Sequence, residues 1–349
     1  MTFSACPKEE FGSRRWDELV ARFDEAWLWH RSDYLEATDF PVPRTDISFV
    51  VLDEAGHPVA IVPLRLSRYR AFRIIPIRLL ASVGGPAAAN DLGPKQKTAV
   101  FAFIRERMFE LARRFGVMEI EMFAPPMAPA LRGGRCPRIN PLLPFGCTDS
   151  QSQTWVVDLR RSEDDIRRAY AGNTRVELKK FRRESFELRF ASGAADLEIY
   201  CELDAASLRR GGAIPHTREH LQHVFDRFVD KGLARALFLI QGGEVVAANI
   251  TVVYKAGAHY WFGASRHDKL GGANRVLLDE QILEARKLGA EFFEAGQAFP
   301  WAEGSKLYGI SEFKRSFGSE LYPYFQGSII TRRGRHAALQ LLETLWHHS

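Results

Sequence analysis

The chain has 349 residues, 46% of them hydrophobic and 26% charged, with a net charge of +5. That length leaves room for two domains of ordinary size, and that balance excludes a disordered chain. No apolar run approaches the ~18 residues needed to span a bilayer, and the start carries no apolar stretch of signal-peptide type, so a cytoplasmic protein without an integral membrane segment is expected.

In chain order, helical patterning covers Trp16 to Phe23 and again Trp27 to Ala37. "DISFVVLDEAGHPVAIVPLRLSR" (Asp46 to Arg68) predicts two strands joined by a turn at Glu54 to His57. A further strand over Arg73 to Pro86, a long helix over Lys95 to Phe115 and the strand Val117 to Phe123 follow. Ala124 to Gly146 is dense in Pro and Gly and reads as a loop or interdomain connection.

The second half runs through similar elements. "TWVVDL" (Thr154 to Leu159) is a strand, and Ser162 caps a helix with acids in its first turn that extends to Arg183. After the strand "FELRF" come helices near Asp196 to Arg210 and Thr217 to Lys231. Arg235 to Ser265 predicts three antiparallel strands turning at Gly242-Gly243 and Ala256-Gly257. A helix over Asn274 to Leu288, the strand "EFFEAG" and a final strand over residues 319–331 complete the chain. Each half therefore reads as helices, a meander of strands, a long helix and one further strand.

That order of elements is the order of the GNAT acyltransferase fold. The expectation is an α/β (α+β) protein of two tandem, duplicated GNAT-like domains, residues 1–150 and 151–349, with mixed, mostly antiparallel sheets flanked by helices. The second half also resembles FemAB-type (FemABX) proteins of the GNAT superfamily. The likeness rests on the "TWVVDL" strand followed by a basic helix, on "AHYWFGAS", and on "FKRSFG", similar to that family's F-K-x-x-F-G signature. It covers most of 150–330 and, in the first half, the layout alone. The resemblance implies amide-forming transfer of an aminoacyl group from aminoacyl-tRNA to an amine acceptor, a peptidoglycan precursor or small metabolite, with no permanently bound cofactor. Acyl-CoA as donor and a non-catalytic binding scaffold are the rival readings. The positive charge favours an anionic partner; DNA is not expected.

Four segments carry candidate chemistry. In the first, Lys314 stands between Phe313 and Phe317. A fixed ammonium there grips the phosphate or 3′ end of a donor, or stabilises the oxyanion of a tetrahedral intermediate; otherwise the two rings fill core and the lysine snorkels to water. In the second, Arg168, Arg175, Lys179 and Arg182 fall on one face of a single helix over Asp164–Arg183, either a phosphate-tracking stripe or a solvated face. In the third, "SRHDKLGGANRVLL" places Gly271, Gly272 and Asn274 where helix N-terminal amides meet a donor's phosphate, or where a flexible turn needs glycine. In the fourth, Glu294 ends a strand as candidate proton acceptor for the attacking ammonium, or as a salt-bridge partner of Lys306 or Arg315.

His216, His220 and His223 share helical spacing but do not form H-E-x-x-H, since Glu219 precedes the second histidine; no metal is expected. Cys6, Cys136, Cys147 and Cys201 lack tight spacing and read as reduced thiols.

Overall fold

The computed structural model describes residues 1–37, 42–71, 74–150, 152–266 and 271–337. It divides into two compact units. One comprises Met1–Ser152 and the chain from Tyr324 onward; the other is Gln153–Pro323.

The first unit opens with β1 (Ser4–Pro7), α1 (Lys8–Phe11) and α2 (Ser13–Arg22). Trp16, Leu19 and Val20 recur at helical spacing in α2 and are all buried. The helix expected over Trp27 to Ala37 is instead a single turn at Leu28–His30 and the short α3 (Ser32–Leu35). Arg31 between them is extended, with ψ 149°. The interruption has a cause in His30, which is buried, accepts the Trp27 N–H at 3.1 Å and lies 2.9 Å from the Gly85 carbonyl through Nε2.

β2 (Arg44–Asp46), β3 (Phe49–Leu52), β4 (Pro58–Val62), β5 (Arg65–Ala71), β6 (Ile75–Val83) and β7 (Ala87–Ala88) follow. α4 (Pro94–Phe115) opens with proline, whose fixed φ suits a first helical position, and closes at Gly116 in the left-handed region, φ +63°. β8 (Glu119–Phe123) then returns parallel to β6. β9 (Thr148–Asp149) ends the segment. Two sheets result among the described residues, β1-β3-β4-β7 and β2-β5-β6-β8-β17-β9, where β17 is Gln326–Ile330.

The second unit carries β10 (Ser152–Asp158), α5 (Glu163–Arg168), α6 (Gly172–Phe181), β11 (Glu187–Phe190), α7 (Ala194–Arg210) and α8 (Arg218–Val224). α8 widens into a π-helical turn at Phe225–Val229. β12 (Ala234–Gln241), β13 (Glu244–Tyr254) and β14 (Gly257–Ser265) form the meander. Gly242 and Gly243 both take positive φ in its first turn, as a tight hairpin requires. In its second turn the positive angles fall on Lys255 and Ala256, and Gly257 already pairs with Tyr254. α9 (Gly271–Lys287), β15 (Phe292–Gln297), α10 (Lys306–Arg315) and β16 (Glu320–Tyr324) complete the unit. The sheet order is β11-β12-β13-β14-β15-β10-β16, with β14 and β15 parallel.

The two units share the run of an antiparallel strand pair, a long helix and a parallel return strand, the tandem GNAT arrangement. Expectations change at the final strand, at the end of the second unit and at the helix over Asp164–Arg183. The final strand over 319–331 is two strands: β16 stays in the second sheet, while β17 pairs with β8 from Gln326↔Phe123 to Ile330↔Glu119. The second unit therefore stops at Pro323 rather than running on to residue 349. The helix over Asp164–Arg183 is broken, because the chain turns at Ala169–Ala171, where the Ala171 N–H donates to the Ser316 carbonyl at 2.9 Å. The segment around "FKRSFG" is a helix, α10, capped by the Ser305 hydroxyl on the Tyr308 N–H.

α6 and α9 meet at close range. A Cβ on Gly272 would stand 2.4 Å from the ring of Phe181, a buried residue of the core that also holds Leu178, Val276 and Leu277. Gly272→Val is therefore expected to cost about 1–3 kcal/mol of stability through overpacking, measured by urea denaturation, with Gly272→Ala intermediate.

Candidate active site

The parallel pairing of β14 with β15 covers only Gly257↔Phe292, Ala258↔Phe293 and His259↔Glu294. β14 continues to Ser265 and β15 to Gln297, so past His259 and Glu294 neither strand has the other as its partner. Both strands are irregular just there. Trp261 is an extra residue in β14 opposite β13, and Ala295 is an extra residue in β15 opposite β10. Bulges of this kind bend a strand and re-aim its side chains. Gly296 follows with φ +104°, a conformation suited to glycine.

A polar cluster occupies this point. Glu294 is buried. Its Oε1 accepts the Thr154 hydroxyl at 2.8 Å, and its Oε2 lies 3.0 Å from His259 Nδ1. Lys314 comes in from α10: a Cβ on Gly296 would stand 2.6 Å from its Nζ. Burial opposes ionisation of Glu294, but His259, the Thr154 hydroxyl and Lys314 together outweigh it and hold the carboxyl below its ordinary range. Burial likewise pushes the Lys314 ammonium down to about 8, against the pull of Glu294. The pair is a carboxylate held charged beside an ammonium poised to lose its proton near neutral pH.

Hydroxyls and a glycine fix α10 in place. Ser311 is buried; its hydroxyl accepts from Trp155 Nε1 at 3.0 Å and from the Phe299 N–H at 3.1 Å. The Ser316 hydroxyl accepts from Thr174 at 2.8 Å and donates to the Phe313 carbonyl. Gly318, at φ +68°, lets the chain pass Ala169, whose Cβ would lie 2.8 Å from a Cβ at 318. Phe317 is a core residue, edge-on to Tyr170 at 5.1 Å and to Phe313 at 5.4 Å. Phe313 is half-buried beneath the Arg275 guanidinium and lines, with Asn173, Arg275 and Arg315, a cavity of about 450 Å³.

Lys314 and Glu294 are thus close enough to act on each other's charge, and the ion-pair partner of Glu294 is His259 rather than Lys306 or Arg315. The basic stripe is not one face. Arg168 belongs to α5 and pairs with Asp165 at 2.6 Å; the break before α6 separates it from the rest. Arg182 reaches the buried Asp279 at 2.7 Å, where Arg167 and the Tyr170 hydroxyl also converge. Arg175 donates to the Arg168 carbonyl, and Lys179 is exposed. Arg175, Lys179 and Arg182 line one groove of about 380 Å³ over Asp279. Gly271, Gly272 and Asn274 form the first turn of α9, with Asn274 exposed; residues 267–270 of that turn, His267, Asp268 and Lys269 among them, lie outside the described residues. Among the described residues no group of three His, Cys, Asp or Glu side chains is placed to hold a metal. His216 instead contacts Asp204 at 2.9 Å and stacks on His220.

Thr154 and His259 were not among the residues singled out from the sequence. Each is a polar residue inside an otherwise apolar strand, "TWVVDL" and "AGAHYWFG", and burial of such a group requires a polar partner.

Residues 160–315 match the family model described as an acetyltransferase (GNAT) domain. That segment is a GNAT domain, and the fold of the chain is FemX-like. The structure of FemX superposes with a TM-score of 0.73 at 11% identity, over 97% of this chain and 99% of that one. The C-terminal domain of a putative lysylphosphatidylglycerol synthetase from Agrobacterium fabrum superposes at 0.55 with 15% identity, over 95% of both chains. A tandem GNAT protein from the clavulanic acid biosynthesis pathway superposes at 0.53 with 13% identity, over 95% of this chain and 99% of that one. No curated protein matches the sequence significantly. Among the described residues no helix is long and apolar enough to cross a membrane.

Two stability measurements follow from this geometry. Arg182→Ala leaves Asp279 with Arg167 and Tyr170 only, an expected loss of about 1–2 kcal/mol given that Arg182 is partly exposed, while Lys179→Ala is neutral in thermal unfolding. Because folding lowers the Lys314 pKa from 10.5 to about 8, the unfolded chain binds more protons between those values, and stability rises with pH across that window. The difference in unfolding free energy between wild type and Lys314→Met should therefore change in favour of wild type from pH 8 to 10.5; a pH-independent difference would contradict the burial of the ammonium.

Proposed function

We propose that this GNAT-fold acyltransferase forms an amide bond, transferring an aminoacyl group from an aminoacyl-tRNA to the amine of a peptidoglycan precursor or small metabolite, in the cytoplasm. The observation that carries the reading is the Lys314–Glu294 pair at the point where β14 and β15 stop pairing. The acceptor nitrogen attacks the carbonyl carbon of the donor ester. A C–N bond forms, the negative charge moves to the carbonyl oxygen, and collapse breaks the C–O bond, the leaving oxygen taking the second proton shed by the nitrogen to depart as the donor's hydroxyl. The Lys314 ammonium faces the developing oxyanion in a partly dry site, where a fixed charge acts more strongly than in water. Glu294 takes the proton of the attacking ammonium, directly or through water, while Thr154 and His259 hold its carboxylate in place. The exposed cations of α6, Arg175 and Lys179, suit the phosphates of a nucleotide-bearing donor.

A second reading has acyl-CoA as donor. It is favoured by the edge of β14 beyond His259, which presents backbone groups unpaired with β15 to an amide-bearing donor arm. Incubation of the protein with charged tRNA or acyl-CoA and an amine-containing cell extract, followed by mass spectrometry, separates the two by which donor is consumed.

Lys314→Met keeps the apolar stem and loses the ammonium, so turnover is expected to fall about a hundredfold, the ~3 kcal/mol typical of one transition-state donor, with acceptor binding retained. Wild-type kcat should decline as pH rises through about 8, when Lys314 loses its proton. Lys314→Arg should also be slow, since a planar fork does not replace a point charge, but without that decline. Wild-type turnover in Lys314→Met would reduce α10 to packing.

A further inference from the structure

The first turns of α10 and the segments beside it expose large apolar side chains. Trp301 is 66% exposed and Ile214 73% exposed, and Leu307 and Ile310 also face solvent. Leu307 and Ile310 are one turn apart on α10, and Trp301 lies in the tight turns that lead into it. Ser311 holds the Phe299 N–H, and Leu307 lies one turn before Ser311 while Ile310 adjoins it. Trp301 stands edge-on to Phe299 at 6.1 Å. Lys306 reaches the Gly211 backbone, its Nζ 3.1 Å from where a Cβ at 211 would stand, which brings the loop bearing Ile214 to the same place. Of the cations on these segments, Arg210 donates to the Ser265 and Arg266 carbonyls, Arg315 pairs with Glu312 and Lys314 turns to Gly296, which leaves Lys306 and Arg209 to border the apolar side chains. Lys306 and Arg209 are exposed.

A contiguous exposed apolar patch on a water-soluble surface marks an interaction site. A tryptophan with aliphatic neighbours, bordered by lysine and arginine, matches the interfacial zone of an anionic bilayer, where rings lie at headgroup depth and cations meet phosphates. We propose that this patch seats the protein on an anionic lipid surface, with Trp301, Leu307 and Ile310 entering the headgroup layer and Lys306 and Arg209 on its phosphates. The helix that carries the patch also carries Lys314, so the lipid surface would lie against the element that supplies the ammonium. The inference is independent of the proposed reaction, because its readout is binding and not turnover.

The test is flotation of the full chain with vesicles of phosphatidylcholine alone or with 30 mol% phosphatidylglycerol. The protein should partition onto the anionic vesicles at least tenfold more strongly than onto the neutral ones, and more weakly at high salt. Trp301→Ser/Leu307→Ser should reduce that partition about tenfold or more. Ile139→Ser, which removes an equally exposed apolar side chain from the other unit, should leave it unchanged. Circular dichroism of the double variant checks that it is folded. Absence of flotation overturns the proposal, as does flotation that the folded double variant retains. A concentration-dependent dimer that the double variant abolishes, without vesicle binding, would assign the patch to a second copy of the chain instead.

Discussion

Holding a charged carboxylate out of water is costly unless polar groups answer it, and strands β10, β14 and β15 with helix α10 answer that requirement at Glu294, where Lys314 adds its charge. The carboxylate takes a hydroxyl from β10 and an imidazole from β14, so three adjacent strands fix one side chain. The ammonium is delivered by a helix whose position is set by Ser311 on Trp155, Ser316 with Thr174, and Gly318 against Ala169. Gly296 supplies the absence of a Cβ that the ammonium needs to approach β15. Ser311, Ser316, Thr174, Gly318 and Gly296 are small where a larger residue would displace α10.

The sheet makes the same point from the backbone. Parallel pairing of β14 and β15 lasts three residue pairs, and the two bulges and Gly296 fall where it ends. In the first unit β8 returns parallel to β6 with five pairs, Leu79↔Glu119 to Val83↔Phe123, and gains β17 from the far end of the chain on its other side. The first sheet is completed only when the last strand has been made, which links its formation to the whole intervening sequence.

The basic residues of α5 and α6 show how far a charge pattern can mislead. Their spacing is that of one helical face, yet Ala169–Ala171 break the helix and Arg182 serves a buried aspartate. Asp279 needs its charges answered within the fold, and that demand competes with any external phosphate for the same guanidinium.

The order of elements was legible in the sequence because amphipathic period, glycine turns and capping residues are local: the Ser162 cap, the Gly242-Gly243 turn and the long helices lie where the pattern puts them. The tandem GNAT layout follows from that order, and Phe313, Lys314 and Phe317 stood out by the likeness of "FKRSFG" to the F-K-x-x-F-G signature. What the tertiary structure decided are the facts that depend on residues distant in sequence. Lys314 acts on the charge of Glu294 twenty positions away, and Thr154 is 140 positions from the carboxylate it binds. The transfer of β17 to the six-stranded sheet of the first unit, the break at Ala169–Ala171 and the use of Gly272 to admit Phe181 have the same origin. A local pattern specifies which face of an element is apolar; only packing determines what that face meets.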